Sequence, residues 1–135
     1  MKDTTGRGDL TELEVAMALI RAGKTVLKPM SAGLRYDLVV DEGGGAFTRV
    51  QCKTGLLKGG AIEFRLYSIN VSRHFVARSY HGEVDAFGVY CPQTGRFYLI
   101  PMSVLERNRA SASIRVAPTR NGQAITRQAT DYEVG

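Results

Sequence analysis

Residues 31–55 read SAGLRYDLVVDEGGGAFTRVQCKTG and hold two apolar segments on either side of three glycines. The segments, Arg35–Asp41 and Ala46–Lys53, are rich in the β-branched and aromatic residues that favour strands. The glycines at 43–45 are typical of a tight turn, because glycine adopts positive φ angles at little cost. The stretch therefore predicts a β-hairpin centred on Gly44.

The hairpin places three polar side chains together. Symmetry about Gly44 sets Asp37 opposite Gln51, and directly opposed residues share a face of the sheet. Side chains alternate along a strand, so Lys53 lies on the same face as Gln51. Carboxylate and amide oxygens suit Mg²⁺, and a nearby ammonium stabilises charge on a phosphate. The same residues also fit a surface Asp–Lys ion pair beside a glutamine, and spacing alone leaves both interpretations open.

The two halves of the hairpin also carry a recognisable motif. Tyr36-Asp37-Leu38-Val39-Val40, followed by Val50-Gln51-Cys52-Lys53, resembles the bipartite motif of the PD-(D/E)XK nuclease superfamily. Gln51 stands where most members carry an acid. This Q-x-K form is similar to a branch that includes intron-encoded homing endonucleases.

The residues upstream of the hairpin resemble archaeal-type Holliday junction resolvases in their order: Gly8-xxx-Glu12, then Gly23, then Pro29-Met30-Ser31. The resemblance extends over roughly residues 6–101. It implies an α/β (α+β) fold with a restriction-endonuclease-like core, in which a central mixed β-sheet is flanked by helices.

The resemblance also implies a set of site residues. The expected catalytic residues are Glu12, Ser31, Asp37, Gln51 and Lys53. The expected metal ligands are Asp37, Gln51, the backbone carbonyl of Cys52, and Glu12. The implied cofactor is Mg²⁺, for which Mn²⁺ is expected to substitute. Because a glutamine replaces the usual acid, the site has one negative charge fewer and is expected to bind metal more weakly.

A helix is predicted from about Asp9 to Ala22. Asp9 fits the capping position with Glu12 three residues later, and Gly23 supplies the stop. The apolar positions of this helix are Leu13, Val15, Ala16, Leu19 and Ile20. Glu12 shares a face with Val15, Ala16 and Leu19, so it is expected to point inward. A role as the capping glutamate explains Glu12 equally well.

The remaining pattern predicts one domain, residues 1–135, with a basic and flexible C-terminal segment from about residue 108. Further strands are expected at Lys24–Lys28, Ala61–Leu66, Asp85–Cys91, Arg96–Ile100 and Ile114–Ala117, and a short capped helix at Ser103–Glu106. Residues 54–60 are expected to form a loop. Residues 67–82 fit either helical turns, around residues 72–78, or an irregular excursion. Cys52 and Cys91 lie in apolar strands, which favours buried thiols over a disulfide.

The charge balance indicates a polyanionic partner. The chain has 18 lysine and arginine residues against 13 acids, a net charge of +5, which favours DNA, although an indifferent basic surface has the same composition. The candidate DNA contacts are Arg35, Lys58, Arg73 and Arg78. No signal-like or membrane-spanning run appears, so a cytoplasmic protein without membrane contact is expected.

Together these features predict a magnesium-dependent DNA endonuclease that acts as a homodimer. Branched DNA is the favoured substrate, as for a Holliday junction resolvase, because the compact chain has no added base-reading module. The alternatives are a sequence-specific homing-type endonuclease and a catalytically idle DNA-binding subunit.

Overall fold

The computed structural model describes residues 4–70, 76–107, 109–117 and 127–135. Within them lie one α-helix, α1 (Thr4–Arg21), and two short 3-10 helices, Met102–Val104 and Ala129–Asp131. The strands are β1 (Thr25–Leu27), β2 (Leu38–Gly43), β3 (Ala46–Thr54), β4 (Leu56–Lys58), β5 (Ala61–Arg65), β6 (Tyr67–Asn70), β7 (Val76–Ser79), β8 (Ala86–Cys91), β9 (Arg96–Pro101) and β10 (Ser111–Arg115). No helix in these ranges combines the length and the hydropathy needed to cross a bilayer.

The central sheet has the strand order β1-β2-β3-β8-β9. Its strands are antiparallel except for the parallel pair β3–β8, so the sheet is mixed. A second antiparallel sheet, β10-β5-β4, packs beside it, and β6 pairs with β7 in a separate hairpin. A mixed central sheet with α1 packed against it confirms the predicted α+β, restriction-endonuclease-like fold.

The β2–β3 hairpin has the predicted register. Leu38 lies opposite Val50 and Asp41 opposite Phe47, and a bulge precedes the turn at Gly43. The strand β2 begins three residues later than predicted, but the Asp37 N–H still donates to the Val50 carbonyl at 2.9 Å. The alternation is also as predicted, since Val50 and Cys52 are buried and Gln51 and Lys53 are half-buried.

Helix α1 begins earlier than predicted and ends where predicted. It starts by Thr4, so Asp9 lies inside the helix and is not its cap. At the other end Gly23 has a φ of 86°. The Gly23 N–H bonds to the Ile20 carbonyl and the Lys24 N–H to the Leu19 carbonyl, each at 3.0 Å. This is the double hydrogen bond of a glycine-terminated helix.

The helix has an inner and an outer apolar face. Val15 and Leu19 are buried against the sheet, which places Glu12 on the inner face as predicted. Leu13 and Ile20, two apolar positions of the predicted helix, are instead about 60% exposed. They lie in an outward row with Leu10 and Met17. The apolar positions predicted for α1 therefore belong to two faces of the helix, one buried and one exposed.

Gly88 sets how closely α1 approaches the sheet. This residue lies in β8 beneath the helix, and a Cβ there would come within 2.7 Å of Val15 Cγ1 and 3.0 Å of Val50 Cγ1. Only glycine leaves room for the helix at this depth. The buried Thr11 adds a polar tie, because its hydroxyl bonds that of Thr54 at 2.7 Å. These contacts fix α1 over the end of β3.

Several local predictions differ from the structure. The expected loop at 54–60 contains β4, which pairs with β5. In the segment 67–82, Tyr67–Asn70 and Val76–Ser79 form the antiparallel strands β6 and β7, whose tyrosine, isoleucine and valine favour strand pairing. The helical alternative for residues 72–78 is therefore wrong at 76–78. Residues 71–75 lie outside the described part of the chain. The helix predicted at Ser103–Glu106 is a single 3-10 turn that follows Pro101 without a side-chain cap.

The end of the chain returns to the central sheet. The Leu99 N–H donates to the Tyr132 carbonyl and the Val134 N–H to the Phe97 carbonyl, each at 2.8 Å. Ala129 is buried in the main core. Residues 127–135 thus cover the outer strand β9, although their sequence holds few large apolar side chains.

Candidate active site

Asp37 is the anchor of the site, at the entry to β2. Its Oδ2 accepts the Cys52 N–H at 2.9 Å. Burial raises the pKa of Asp37, while this N–H and the charges of Lys53 and Lys28 act in the opposite direction. A carboxylate withdrawn from water in this way gains from a nearby cation.

Gln51 and the Cys52 carbonyl lie next to this carboxylate on β3. The Gln51 Nε2 donates to the Cys52 carbonyl at 3.3 Å, so this contact uses the amide nitrogen of Gln51 and not the amide oxygen that is expected as a metal ligand. The Cys52 thiol, unlike the Cys52 carbonyl, is not suited to bind a metal ion, because burial raises its pKa far above its ordinary value. The thiol therefore stays protonated and is a poor ligand.

Lys53 reaches away from Asp37 rather than pairing with it. Its Nζ donates to the Tyr80 hydroxyl at 3.3 Å and to the Tyr67 carbonyl at 3.5 Å, and lies 4.8 Å from the centre of the Tyr80 ring. Tyr80 is itself buried, with its ring edge-on to Phe87. The ammonium still acts on Asp37 through space, since it lowers the pKa of that carboxyl.

Glu12 meets the hairpin from α1. It lines an open cavity of about 170 Å³ together with Lys28, Ser31, Tyr36 and Asp37. The Glu12 carboxylate forms an ion pair with the Lys28 ammonium, just after β1. The structure therefore brings Glu12, Ser31 and Asp37 together in one cavity, with Lys28 as a fourth polar side chain.

Arg35 has internal partners. Its guanidinium lies 3.9 Å from the centre of the Tyr80 ring. It donates to Ser68 Oγ at 2.6 Å, and to the carbonyls of Arg78 and Ser79 at 3.0 and 2.9 Å. It also pairs with Glu83. Arg35 thus ties the β6–β7 hairpin to the segment before β2, and these bonds occupy the group expected to contact DNA.

Two of the other expected DNA contacts, Lys58 and Arg78, lie on different strands. Arg78 is mostly exposed and pairs with Glu83 at 2.9 Å. Lys58 is exposed at the end of β4, and Arg73 falls outside the described residues. A second cavity, of about 420 Å³, adjoins the first at residues 33, 34 and 36 and is lined by Arg35, Arg49 and Arg78.

The sequence matches a known family over nearly its full length. A profile described as PD-(D/E)XK endonuclease matches residues 2–135. The chain belongs to the PD-(D/E)XK endonuclease family. No curated protein matches it.

Two solved structures are similar to this PD-(D/E)XK chain. One is the bacterial homing endonuclease I-Ssp6803I, with a TM-score of 0.74 and 26% identity over 97% of this chain and 88% of that chain. Another is the Holliday junction resolvase Hjc of the archaeal hyperthermophile Archaeoglobus fulgidus, with a TM-score of 0.47 and 17% identity over 81% and 84% of the two chains.

The oxygen groups at the PD-(D/E)XK motif suit a divalent ion. No group of three or more His, Cys, Asp or Glu side chains fit to hold a metal occurs in the described ranges. Gln51 accounts for this, because it supplies an amide where the motif usually has an acid. Asp37, the Gln51 amide and the Cys52 carbonyl carry oxygen atoms of the hard kind that Mg²⁺ prefers.

Two residues of this PD-(D/E)XK site were missed from sequence. Lys28 directly precedes the Pro29-Met30-Ser31 segment, and that position was the signal that could have pointed to it. Tyr80 lies in the segment left without a predicted structure, where no local pattern marked it. Both act on groups from distant parts of the chain, Lys28 on Glu12 and Tyr80 on Lys53.

Proposed function

We propose that the protein is a metal-dependent DNA endonuclease that cuts duplex DNA at a preferred sequence, in the manner of a homing enzyme. The observation that carries the nuclease assignment is the half-buried Asp37 carboxylate, fixed by the N–H of Cys52, the residue after Gln51 on β3. The Q-x-K motif supports the homing type. So does the similarity to a bacterial homing endonuclease over nearly all of both chains.

Each site residue has a role in this proposal. Asp37, Gln51 and the Cys52 carbonyl would hold Mg²⁺, or Mn²⁺ in its place, and Glu12 would bind one of its waters or a second ion. A bound ion supplies Lewis-acid activation of the phosphate and of water. Lys53 orients the attacking water or stabilises negative charge on the phosphate, and Tyr80 fixes the position of its ammonium.

Positive charge provides the affinity for the substrate. The net charge of +5 favours a polyanion, and cations that neutralise phosphates release counterions on binding. We propose that DNA follows the two adjoining cavities, with Arg78, Lys58 and Arg73 as phosphate contacts. Arg35 contributes by holding Tyr80 and the β6–β7 hairpin, not by touching DNA. Cutting both strands of a duplex would use two copies of the chain, so we expect a homodimer.

A second candidate function is Holliday junction resolution. It is favoured by Ser31, which lines the cavity with Glu12 and Asp37. Its hydroxyl is placed to contact a phosphate bound there. Resolution would also use a homodimer, with one active site for each of two symmetric cuts.

Cleavage assays with defined DNAs separate these functions. A library of linear duplexes, synthetic four-way junctions and flaps is offered with Mg²⁺ or Mn²⁺. Cutting at one duplex sequence supports the homing type, whereas symmetric nicks near a crossover support the resolvase. Binding without any cutting would leave only the idle DNA-binding subunit.

Substitutions test the assigned residues in the same assay. Asp37→Asn and Lys53→Met are each expected to lower the cleavage rate by about 10³-fold, because the first removes the anionic metal ligand and the second removes the ammonium that stabilises negative charge on the phosphate. Asp41→Asn is the matched control, since Asp41 lies on the same hairpin and accepts the Gly43 N–H. Full activity in Asp37→Asn would overturn the assignment of the site.

A further inference from the structure

Lys28 is a charged residue of the first cavity to which the proposed chemistry gives no role. Its side chain is 66% exposed, whereas that of its partner Glu12 is only 21% exposed. The lysine follows β1 directly, and its ammonium reaches across to a carboxylate on α1. An exposed lysine side chain with a half-buried anionic partner forms a contact that can be exchanged without unfolding.

The charge of Lys28 acts on the whole acidic part of the site. Its ammonium lowers the pKa of Asp37 as well as pairing with Glu12. Both acids line the same cavity, so their mutual repulsion favours a cation between them. A divalent ion supplies the same compensation. Lys28 and a metal ion thus stabilise the same negative charges.

The other lysines show how specific this arrangement is. Lys53 is held by the Tyr80 hydroxyl and the Tyr67 carbonyl. Both groups are neutral, so a metal ion does not compete with Lys53 for a negative charge there. Lys24, at the opposite end of β1, pairs with Glu42 on the surface at 3.8 Å, away from the cavity. Among these three lysines, Lys28 is the one paired with a candidate metal-site acid.

We propose that Lys28 couples DNA binding to metal binding: its ammonium holds Glu12 in the free protein, and moves to a phosphate when DNA binds. The transfer releases the Glu12 carboxylate to the metal or its waters. A phosphate is a natural alternative partner for a flexible, exposed ammonium. The inference rests on the proposed function. It implies reciprocal linkage, in which DNA tightens metal binding and metal tightens DNA binding by the same factor.

The test measures Mn²⁺ affinity of the full chain from the electron paramagnetic resonance signal of free Mn²⁺. Each protein is titrated alone and with a short random-sequence duplex, whose integrity is checked afterwards. We expect the duplex to tighten Mn²⁺ binding by the wild type about tenfold. Lys28→Gln is expected to bind Mn²⁺ about tenfold more tightly without DNA and to lose the effect of the duplex.

Lys24→Gln is the matched control, because it removes one charge and one Glu–Lys pair from the same strand. It is expected to keep the wild-type dependence on DNA. In a Glu12→Gln background, Lys28→Gln is expected to change Mn²⁺ affinity no more than Lys24→Gln does. Equal Mn²⁺ affinities for Lys28→Gln and Lys24→Gln, or an unchanged duplex effect in Lys28→Gln, would overturn the coupling.

Asp37→Asn separates failure of this inference from failure of the proposed function. If Mn²⁺ binding depends on Asp37 but not on Lys28, the coupling is wrong and the metal site stands. If the wild type binds no Mn²⁺ even with the duplex, or binds it regardless of Asp37, both proposals fall.

Discussion

The two halves of the site hold their lysines in opposite ways. On the acid side, which comprises Glu12, Asp37 and Lys28, the cation is exposed and pairs with a carboxylate. On the amine side, which comprises Lys53, Tyr80 and the Tyr67 carbonyl, the cation is held by neutral groups around a buried ring. A charge that must be exchanged needs access to solvent, whereas a charge that must be oriented needs fixed neighbours. The difference indicates exchange on the acid side and positioning on the amine side.

The halves also depend on different packing. The acid side needs α1 at the correct depth on the sheet, because Glu12 is carried by the helix. The amine side is built from β3 and the end of the β6–β7 hairpin, with Arg35 bonding that hairpin to the segment before β2. A change beneath the helix should therefore disturb one half, and a change at Tyr80 the other.

The largest effect on the stability of the fold is expected from Gly88→Ala, beneath α1. The new methyl group would lie 2.7 Å from Val15 Cγ1, so the helix must move outward. We expect the free energy of unfolding to fall by about 2 kcal/mol, as for other overpacked cores. The change is measured by urea denaturation. Cleavage should also fall, because Glu12 moves with the helix.

Gly8→Ala is the matched control for the glycine under the helix. Gly8 lies within α1, and a Cβ there meets nothing within 4 Å. Alanine is the better helix former, so this variant is expected to gain up to about 1 kcal/mol. If both alanines shifted stability in the same direction, the close packing at Gly88 would not be what sets the depth of α1.

The next effect is expected from Tyr80→Phe, which removes one acceptor of the Lys53 ammonium and keeps the ring. We expect the single-turnover cleavage rate at saturating DNA to fall about tenfold, about 1.4 kcal/mol, with DNA affinity unchanged. In a Lys53→Met background the same substitution should have no further effect on the rate. That dependence distinguishes positioning of Lys53 from a general loss of structure.

Tyr98→Phe is the control for losing a buried tyrosine hydroxyl. Tyr98 lies on the far strand β9 and is as buried as Tyr80. Its hydroxyl contacts Thr94, in the turn before β9, rather than the site. Its loss should lower stability without lowering the rate. A similar drop in rate for both phenylalanine variants would mean that Tyr80 acts through stability alone.

The sequence predicted the hairpin part of the site because that geometry is local. Three glycines set the register, and alternation along β3 then placed Gln51 next to the Asp37 position. The Glu12–Lys28 and Lys53–Tyr80 contacts join residues far apart in the chain. The spacing of residues within one helix or strand therefore does not predict them. The helix start was missed because Asp9 and Glu12 have the spacing of a capping box. Packing of α1 on the sheet instead extends the helix back through Gly6 and Gly8, in spite of their low helix propensity.

The fold class was predictable, while one strand of the second sheet and the β6–β7 hairpin were not. Glycine-rich residues 54–60 read as a loop, and their pairing with β5 depends on tertiary contact that propensity does not record. Residues 67–82 mix strand formers with polar residues, which left helical turns and an irregular excursion open and did not point to strands. In both places the partner strand, rather than the segment itself, decides the structure.

The smallest effect is expected from Asp85→Asn, outside both halves of the site. Asp85 accepts the backbone N–H and the guanidinium of Arg49 at 2.8–3.1 Å, which joins β3 to the start of β8. The hydrogen bonds from Arg49 hold the pKa of Asp85 below its ordinary value of 3.8. Because the unfolded chain then binds more protons, the pair stabilises the fold above that value and loses this contribution as the pH falls through the folded pKa.

The pair is about 40% exposed, so its contribution at neutral pH should be at most about 1 kcal/mol. Asp85→Asn should therefore reduce the loss of stability on acidification, and thermal melts from neutral to acidic pH would measure the change. Arg49→Met should also reduce the loss of stability on acidification, because either substitution removes the ion pair. If both variants lost stability on acidification as steeply as the wild type, the acid sensitivity would come from other carboxylates. The cleavage rate at neutral pH should hold in Asp85→Asn, because this carboxylate ties two strands together and touches neither the acid side nor the amine side.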